Sequence, residues 1–348
     1  MTLKEIAALS GVHSSTVSRI LNSPDDSFAS REVREKVWKI VRETGYVPNH
    51  NAQSLRKRGT REVPGGNGLI DCILGRTKNM EDNPFFSGAA RAVAAQALSL
   101  GYSVQVFYSA LEPETHPLAI KSARQLGAVV LGRFENEAVE RILESQYKNI
   151  VYLGRNPINA AWDQIICDGY MATQTALEHL ISCGHTRIAY IGERKHEVRY
   201  KAYMDMAAKD RLEKDSSLIV DCPQNGAGGF QGAERLLKQA KLLPTAIFCA
   251  TDVVAIAVMS KLLEVGIRVP EQVSVIGMDN IDLAGYVSPM LTTVEIPMIE
   301  MANVAVQTLI SRIKKLHRIP LKITLPCKLV IRRSVASINS GAFEGMYI

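Results

Sequence analysis

Three consecutive hydroxyl side chains, Ser14, Ser15 and Thr16, lie in the stretch GVHSSTVSRILN near the N-terminus, and Arg19 follows them about one helical turn later. Hydroxyl groups donate and accept hydrogen bonds, and a guanidinium group can bind a guanine edge or a phosphate. Because bulky apolar side chains would leave base edges unpaired, this pattern suits the end of a helix that enters the major groove of DNA. On these residues alone the alternative stays open that the hydroxyls only cap a surface helix.

Three short helices are predicted to position these groups. The first begins at Thr2, in a capping box with Glu5, and ends at Gly11. The second covers about residues 14–22 and the third about residues 30–44. The apolar spacing predicts buried faces of Val17, Ile20 and Leu21 on the second helix and of Val33, Val37, Ile40 and Val41 on the third. Two helices joined by a tight turn and braced by a third predict a helix-turn-helix head.

The positive charge of the chain is concentrated in the same region. Residues 1–62 contain 11 lysines and arginines against 7 acidic residues, within a chain of 348 residues and net charge +6. A basic head on a near-neutral body is typical of a protein that binds nucleic acid through one end, although the excess is modest.

From about residue 67 onward, short apolar runs alternate with helical stretches. The predicted strands are LIDCILG, SVQVFY, AVVLG, IVYLG, IAYIG, LIVDC, AIFCA, VSVIGMD, TTVEI and CKLVIRR. The helices between them include GAARAVAAQALSLG and AIAVMSKLLEVG. This rhythm predicts an α/β body with parallel sheets, divided into two similar lobes.

Several classes of protein are not favoured by the composition. No apolar run reaches 18 residues and the start lacks the pattern of a signal peptide, so a cytoplasmic location is expected. The six cysteines have no CxxC spacing and are interpreted as reduced structural thiols. His179, Cys183 and His185 lack a fourth ligand, so no metal is expected. No P-loop, HExxH or GxSxG motif indicates an enzyme or a cofactor site.

The segments LKEIAALSGVHSSTVSRILN and YVPNHNAQSL resemble the lactose repressor and galactose repressor family of bacterial transcription factors. The resemblance extends to about residue 335. It implies an all-α helix-turn-helix head (1–47), a hinge helix and linker (48–66) and a two-lobed, periplasmic-binding-protein-like (type I) α/β body (67–348). The lobes are expected to comprise about 67–160 with 291–325, and 161–290 with 326–340. His13 departs from the serine that is common at its position in the family.

The resemblance also implies which residues contact DNA. The linker is expected to fold on the duplex, where Leu55 inserts between base pairs of the minor groove and Arg56 binds a phosphate. From composition alone, a plain basic linker is the alternative. The full set expected to contact DNA is Thr2, His13, Ser14, Ser15, Thr16, Ser18, Arg19, Asn22, Tyr46, Asn49, Asn51, Ala52, Leu55 and Arg56.

A ligand cleft between the lobes is the second implication. Arg199 would hold ligand hydroxyls with its guanidinium fork, and Asp279 follows a strand at the edge where α/β sites form. The aromatic pair of the NPFF motif would face a sugar ring or, equally, pack the first body helix. The expected effector-binding set is Phe85, Phe86, Asp168, Arg199, Thr251, Asp252, Asp279 and Met298, with Asp168 serving either the cleft or the hinge between the lobes. Glu193, Lys195 and His196 are further candidates, or exposed loop residues.

These features predict a ligand-responsive repressor of carbohydrate-utilisation genes. We expect a homodimer on near-palindromic operator DNA, with a sugar or sugar phosphate as effector and a nucleobase as the alternative. A sugar-binding protein without a DNA role has no use for the head, and an architectural DNA binder would not need Arg199 and Asp279. The absence of leucine heptads after residue 335 favours a dimer over a tetramer.

Overall fold

The structure is a computed structural model that describes residues 68–75, 84–107, 125–134 and 137–338. In the N-terminal region it describes residues 7, 9–13, 16–17, 20, 30, 32–34, 36–37 and 40. The chain forms two compact units, Met1–Pro64 and Gly65–Ile348.

The head is organised around a small apolar cluster. Ala7, Val17, Ile20 and Val37 are buried, and Val12, Val33 and Ile40 pack against them. Gly11, with φ of 72°, ends the first helical stretch, and its N–H donates to the Ala7 carbonyl at 3.0 Å. The N–H groups of Thr16 and Val17 donate to the carbonyl of His13, so the second stretch begins there. The predicted apolar spacing is thus confirmed at the described positions; Leu21, Val41 and the Thr2–Glu5 capping box lie outside them.

Two six-stranded sheets form the body, one in each lobe. The lobe 1 sheet has the order β11-β5-β4-β3-β1-β2 and is parallel throughout. Its strands are β1 (Leu69–Leu74), β2 (Ser103–Phe107), β3 (Gln125–Leu131), β4 (Ile150–Gly154), β5 (Asp163–Cys167) and β11 (Lys322–Leu325).

The lobe 2 sheet has the order β12-β10-β9-β8-β6-β7, in which only β12 is antiparallel to its neighbour. Its strands are β6 (Ile188–Gly192), β7 (Ile219–Asp221), β8 (Ala246–Cys249), β9 (Ser274–Asp279), β10 (Thr292–Glu295) and β12 (Lys328–Val330). Each of the ten predicted apolar runs overlaps one of these strands.

Seven α-helices cover the sheets in the described part of the body. They are α1 (Pro84–Ser99), α2 (Glu137–Gln146), α3 (Gly169–Ser182), α4 (Val198–Ala208), α5 (Gly226–Gln239), α6 (Asp252–Glu264) and α7 (Met298–Ile313). Helices on both faces explain why the central strands IVYLG and IAYIG are apolar at every position and buried throughout. None of the described helices has both the length and the apolar character that a membrane crossing requires.

The chain passes three times between the described parts of the lobes. The crossings follow Cys167, Glu295 and Leu325. The first two lie a few residues beyond the expected positions near 160 and 290, because β5 belongs to the lobe 1 sheet and β10 to the lobe 2 sheet. β5 and β11, the pair at one edge of the lobe 1 sheet, were not predicted from the sequence.

A buried carboxylate explains why β5 escapes a search for apolar runs. The strand begins with Asp163, which is fully buried. Its carboxylate accepts hydrogen bonds from Arg312 Nη2 at 2.7 Å, His317 Nε2 at 3.0 Å and the Leu321 N–H at 2.7 Å. These donors, all from the segment that precedes β11, compensate for the loss of water around Asp163 and lower its pKa although burial acts to raise it.

Candidate functional site

A cavity of about 2160 Å³ lies between the two lobes. The carboxyl ends of parallel strands from both sheets meet there, which is where α/β folds bind ligands. Arg155 follows β4 of lobe 1, and Asp279 and Glu295 end β9 and β10 of lobe 2. The volume exceeds the roughly 300–1,000 Å³ of a closed small-molecule pocket. The space between the lobes is therefore an open cleft and not a closed pocket.

An ion pair joins the lobes inside this cleft. Arg155 Nη1 donates to Asp279 Oδ1, and the two side chains are only 9% and 3% exposed. The Arg155 guanidinium also lies over the Phe85 ring, 4.6 Å from its centroid. Burial raises the pKa of Asp279, while Arg155 and Arg199 act in the opposite direction. The cleft thus contains a shielded interlobe contact whose two halves belong to different sheets.

A second interlobe contact uses main-chain groups. Arg133, which follows β3 of lobe 1, donates to the carbonyl of His196 and, at 3.4 Å, to that of Lys195 in lobe 2. Its Nη2 lies 4.0 Å from Glu193 Oε2. Lys195 and His196, which the sequence offered as candidates for ligand contact, therefore supply backbone acceptors that connect the lobes. Glu193 lines the cavity.

Arg199 lies behind the cavity wall, not on it. It is 1% exposed and forms a two-point ion pair with Glu197, with Nε to Oε1 at 2.9 Å and Nη2 to Oε2 at 2.8 Å. The same Nη2 donates to Gln224 Oε1 at 2.9 Å, and Nη1 donates to the Ala250 carbonyl. Gln224 itself lines the cavity. Arg199 thus orients a cleft residue in this structure and makes no direct contribution to the lining.

Glu197 is the residue that makes this arrangement stable. Its pKa is far below the usual value because Arg199 more than offsets the effect of burial, which acts to raise it. Glu197 also caps α4, since its Oε1 accepts from the Arg199 N–H at 3.2 Å. Glu197 was not predicted as a site residue, although an acidic residue two positions before the arginine was the available signal.

Thr251 and Asp252 are also absent from the cavity wall. Thr251 caps α6 by accepting from the Val254 N–H at 3.3 Å. Asp252 is fully buried, and its two oxygens accept from the Thr293 hydroxyl at 2.6 Å and the Ile281 N–H at 3.0 Å. Burial, reinforced by Asp279, raises its pKa to about 7. Asp252 therefore fixes the segment after β9, which does line the cavity.

Asp168 lies at the hinge between the lobes, at the start of α3. Its carboxylate caps α3 by accepting from the N–H groups of Tyr170 at 2.9 Å and Met171 at 3.2 Å. It is not among the residues that line the cavity. Because α3 begins at the first crossing, the cap stabilises the start of lobe 2 at the hinge.

Four expected residues do line the cleft, namely Phe85, Phe86, Asp279 and Met298. The two phenylalanine rings pack edge to face with centroids 5.4 Å apart, and each residue is 6% exposed. Phe86 also packs closely over Gly132, since a Cβ there would lie 2.8 Å from Phe86 Cζ. The aromatic pair therefore both lines the cleft and packs the start of α1, and its contact with a sugar ring stays a prediction.

The cleft contains polar residues that were not predicted from the sequence. These include Arg155, Gln224, Asn225 and Asn280. Arg155 directly follows β4 and Asn280 directly follows β9, at the carboxyl ends of strands. The same rule that selected Asp279, applied to every predicted strand, would have identified both.

The residues expected to contact DNA lie mostly outside the described part of the chain. Of the residues expected to contact DNA, the structure describes only His13 and Thr16, at the start of the second helical stretch. The other twelve lie outside the described residues.

His185 is buried and has structural partners, Thr245 Oγ1 at 3.0 Å and the Ala336 carbonyl at 2.9 Å. Among the described residues, no cluster of three or more His, Cys, Asp or Glu side chains could hold a metal ion.

Comparison with known proteins assigns both parts of the chain. Residues 2–49 match the family model described as bacterial regulatory proteins, lacI family, and residues 177–335 match the periplasmic binding protein-like domain. The HTH-type transcriptional repressor PurR of Aliivibrio fischeri (strain ATCC 700601 / ES114) is 31% identical over 324 residues, covering 90% of this chain and 92% of the relative. The ribose operon repressor of Haemophilus influenzae (strain ATCC 51907 / DSM 11121 / KW20 / Rd) is 29% identical, covering 97% and 99%.

A solved structure agrees with these relatives. The transcriptional regulator CelR in complex with cellobiose superposes with a TM-score of 0.69 at 26% identity, covering 96% of this chain and 99% of that one. The resemblance found in the sequence and the predicted fold class are both confirmed. The matching head, the matching body and the full-length relatives show that this chain belongs to the LacI family of bacterial regulatory proteins.

Proposed function

We propose that this protein is a ligand-responsive repressor that binds near-palindromic operator DNA as a homodimer in the cytoplasm. The genes that it represses would be those of carbohydrate utilisation, and its effector would be a small sugar-like molecule bound in the cleft. The observation that carries the proposal is the open cleft, in which polar side chains from two lobes face one another within a chain that also has a LacI-type head. The repressor names of the full-length relatives support the same function.

The lining of the cleft favours an uncharged sugar over a sugar phosphate. The acidic lining residues are Glu193, Asp279, Asp282, Glu295 and Glu300, against Arg91 and Arg155 as the basic ones. An excess of acidic groups repels a phosphate dianion. The amides of Gln224, Asn225 and Asn280 can donate to and accept from hydroxyl groups, while the Phe85 and Phe86 rings offer an apolar face to a sugar ring.

Effector binding would act through the angle between the lobes. A ligand that contacts both sheets binds one lobe arrangement better and so shifts the population toward it. In this proposal the Arg155–Asp279 and Arg133–His196 contacts define the arrangement that the effector changes or reinforces. The coupling to operator affinity must be reciprocal and is typically about 1–3 kcal/mol.

The test of the effector site is thermal unfolding of the protein against uncharged sugars, sugar phosphates and purines. A ligand at 100 times its dissociation constant stabilises the folded state by about 2.7 kcal/mol, a clear rise in Tm. We expect a shift with an uncharged sugar that is lost in Gln224→Ala and kept in Gln239→Ala, whose residue lies at the end of α5 and does not line the cleft. A sugar phosphate or a purine as the sole stabilising ligand would contradict the inferred ligand class.

The test of the DNA role uses Leu55, which lies outside the described residues. In the proposed mechanism its side chain inserts into the minor groove, so Leu55→Ala should weaken operator binding while leaving the sugar-induced rise in Tm unchanged. Gel-shift titrations with a near-palindromic operator measure the first quantity. Unchanged operator affinity in Leu55→Ala would refute the role assigned to the linker.

A further inference from the structure

A group of exposed cations lies at the edge of the lobe 1 sheet that is opposite the cleft. The strands of this sheet are parallel, so their amino ends meet at one edge, where Leu69, Gln164 and Lys322 lie at or near the starts of β1, β5 and β11. The loop between α7 and β11 contains four of the cations, and the turn between α2 and β4 contains another. We call this group the basic edge; its members, all exposed, are Lys148, Lys314, Lys315, Arg318 and Lys322.

The charge of the basic edge is not neutralised within the described part of the chain. None of its five side chains forms an ion pair with another described residue, and residues 314–322, KKLHRIPLK, include no acidic residue. The neighbouring carboxylates already have partners. Asp163 is bound by Arg312 and His317, and Glu144 accepts from Trp162 Nε1 at 3.0 Å. The basic edge therefore presents a net positive charge to solvent.

The corresponding edge of the lobe 2 sheet differs in this respect. Arg187, directly before β6, pairs with Glu213 and Asp215. Lys214 pairs with Asp210 at 2.6 Å. These cations have local carboxylate partners, so the unpaired charge of the basic edge is a property of lobe 1 and not of both lobes.

The loop between α7 and β11 is held in place by the buried Asp163. The carboxylate accepts from Arg312 Nη2 and from the Leu321 N–H, on either side of the four cations, at 2.7 Å each. It also accepts from His317 Nε2, in the middle of the loop, at 3.0 Å. Because the backbone of this loop is already ordered, binding a polyanion costs less conformational entropy than ordering a flexible basic segment would.

Duplex DNA is the polyanion that fits this surface. It carries one negative charge per about 1.7 Å of its axis, so several phosphates can lie against a row of cations. The head that matches the lacI family model comprises residues 2–49, and β1 begins at Leu69, at the same edge of the sheet as Lys322. The chain between residues 49 and 69 can span no more than about 70 Å. A duplex bound by the head is thus tethered to the body, which raises its effective concentration at the basic edge.

We propose that the basic edge binds the phosphate backbone of the DNA that the head has bound, as a second contact that reads no sequence. The proposal rests on the DNA-binding role that the proposed function gives to the head. Each cation that neutralises a phosphate releases a counterion, so this contact adds affinity that declines as salt is added. Phosphate contacts position a protein on the duplex without specifying the bases.

Lysine acetylation of the wild-type protein maps the contact directly. The full chain is treated with an N-hydroxysuccinimide ester of acetic acid, with and without a mixed-sequence duplex, and modified lysines are quantified by mass spectrometry. We expect the duplex to protect Lys314, Lys315 and Lys322, while Lys238 and Lys241 of lobe 2, which are also exposed, react equally in both samples.

The lysines of the head make the outcomes of this experiment distinguishable. Protection in the head together with unchanged acetylation at the basic edge would overturn the proposed contact and leave the proposed function intact. Absence of protection in the head as well would overturn both.

The salt dependence of binding counts the phosphate contacts. A combined variant, Lys314→Ala with Lys315→Ala, Arg318→Ala and Lys322→Ala, removes four cations and leaves Arg312 and His317 in place to bind Asp163. Fluorescence anisotropy with the same duplex at several salt concentrations gives the slope of log K against log salt. We expect the slope to be shallower by about 1.8 or more, the value for two lost contacts. A wild-type slope in this variant would refute the proposal.

Two further variants separate the position of the charges from net charge. Lys314→Arg with Lys315→Arg and Lys322→Arg keeps the charge of the basic edge and should keep the wild-type slope. The matched control removes four exposed cations of lobe 2 and should also keep it, as Lys209→Ala with Arg211→Ala, Lys238→Ala and Lys241→Ala. An equal reduction of the slope in the lobe 1 and lobe 2 variants would contradict a contact at the basic edge.

Discussion

Glu197 and Arg199 have both of their charges removed from water in the interior of lobe 2. Removing one member of such a pair leaves the other charge buried and uncompensated, which costs about 3–5 kcal/mol. We therefore expect Glu197→Gln to lower the free energy of unfolding by about this amount, measured by urea denaturation. The stability that Glu197 contributes is complete above its ordinary pKa of 4.5 and declines as the pH falls toward its depressed folded-state value.

A surface ion pair in the same lobe provides the control. Glu213 pairs with Arg187 but its side chain is 48% exposed, so Glu213→Gln should cost less than about 1 kcal/mol. Equal losses in the two variants would contradict the interpretation of Glu197–Arg199 as a buried pair.

Asp71 has the opposite linkage to pH. This buried carboxyl on β1 accepts from the Tyr147 hydroxyl at 2.6 Å, while its Oδ1 has no hydrogen-bond partner among the described residues. Burial raises its pKa to about 6, so the folded state binds the proton more tightly than the unfolded state. The free energy of unfolding should thus fall as the pH rises from about 4 to about 6, by roughly 3 kcal/mol.

Asp71→Asn removes the titrating group and should remove this fall, as measured by urea denaturation across the pH range. Tyr147→Phe deletes the hydrogen bond that lowers the pKa, so the fall should extend to higher pH. The idea fails if Asp71→Asn retains the wild-type pH profile.

The residue types that could bind a ligand were recognisable in the sequence, but whether each side chain lines the cleft or is buried behind its wall was not. Asp279 and the Phe85–Phe86 pair line the cleft as expected. Arg199 does not, because Glu197, the cap of the same helix, and the Ala250 carbonyl, just after β8, occupy its guanidinium. The Ala250 contact follows from tertiary packing, which the spacing of residues along one segment does not encode.

At the scale of elements, Gly277 determines how β9 and α6 fit together. A Cβ at this position would collide with Asp252 Oδ1 and lie 3.1 Å from Leu291 Cδ2. Gly277→Ala should therefore displace the carboxylate that holds Thr293 and the Ile281 N–H, at a cost of about 1–3 kcal/mol. Urea denaturation of this variant measures the loss.

Gly226→Ala is the matched control, because a Cβ at Gly226 has no neighbour within 4 Å. We expect this variant to unfold at the wild-type urea concentration or slightly above it. A similar loss in both variants would show that the cost at Gly277 reflects the change of residue type and not the contact with Asp252.

Strands that are apolar along their whole length were predictable from the sequence, and β5, whose first two residues are polar, was not. Ten strands coincide with apolar runs, because helices cover both faces of these sheets. β5 and β11 form the edge of the lobe 1 sheet, and β5 begins with Asp163 and Gln164. The Arg312 donor that helps to bury Asp163 lies 149 residues further along the chain. No local sequence pattern therefore predicts this strand.

At the scale of the whole body, Arg133 and Arg155 both make polar contacts between the lobes. Arg133→Ala combined with Arg155→Ala removes the donors to the His196 carbonyl and to Asp279. We expect this double variant to favour a more open arrangement, seen as a larger radius of gyration in small-angle X-ray scattering.

Arg187→Ala serves as the control, because Arg187 pairs with Glu213 and Asp215 inside lobe 2. Its radius of gyration should match that of the wild type. An unchanged radius in the double variant would mean that the crossings alone set the angle between the lobes.

The three crossings also dictate the order in which the body can be completed on the ribosome. Strands β6–β10 of lobe 2 occupy the continuous stretch 188–295, whereas lobe 1 starts earlier and still waits for α7 and β11. Lys322 of β11 pairs with Gln164 of β5, so this edge can close only after most of the other lobe has been translated. Lobe 1 is therefore the first to emerge but stays incomplete until β11 has been translated, and its unpaired sheet edge is the surface that a nascent chain must keep from aggregating.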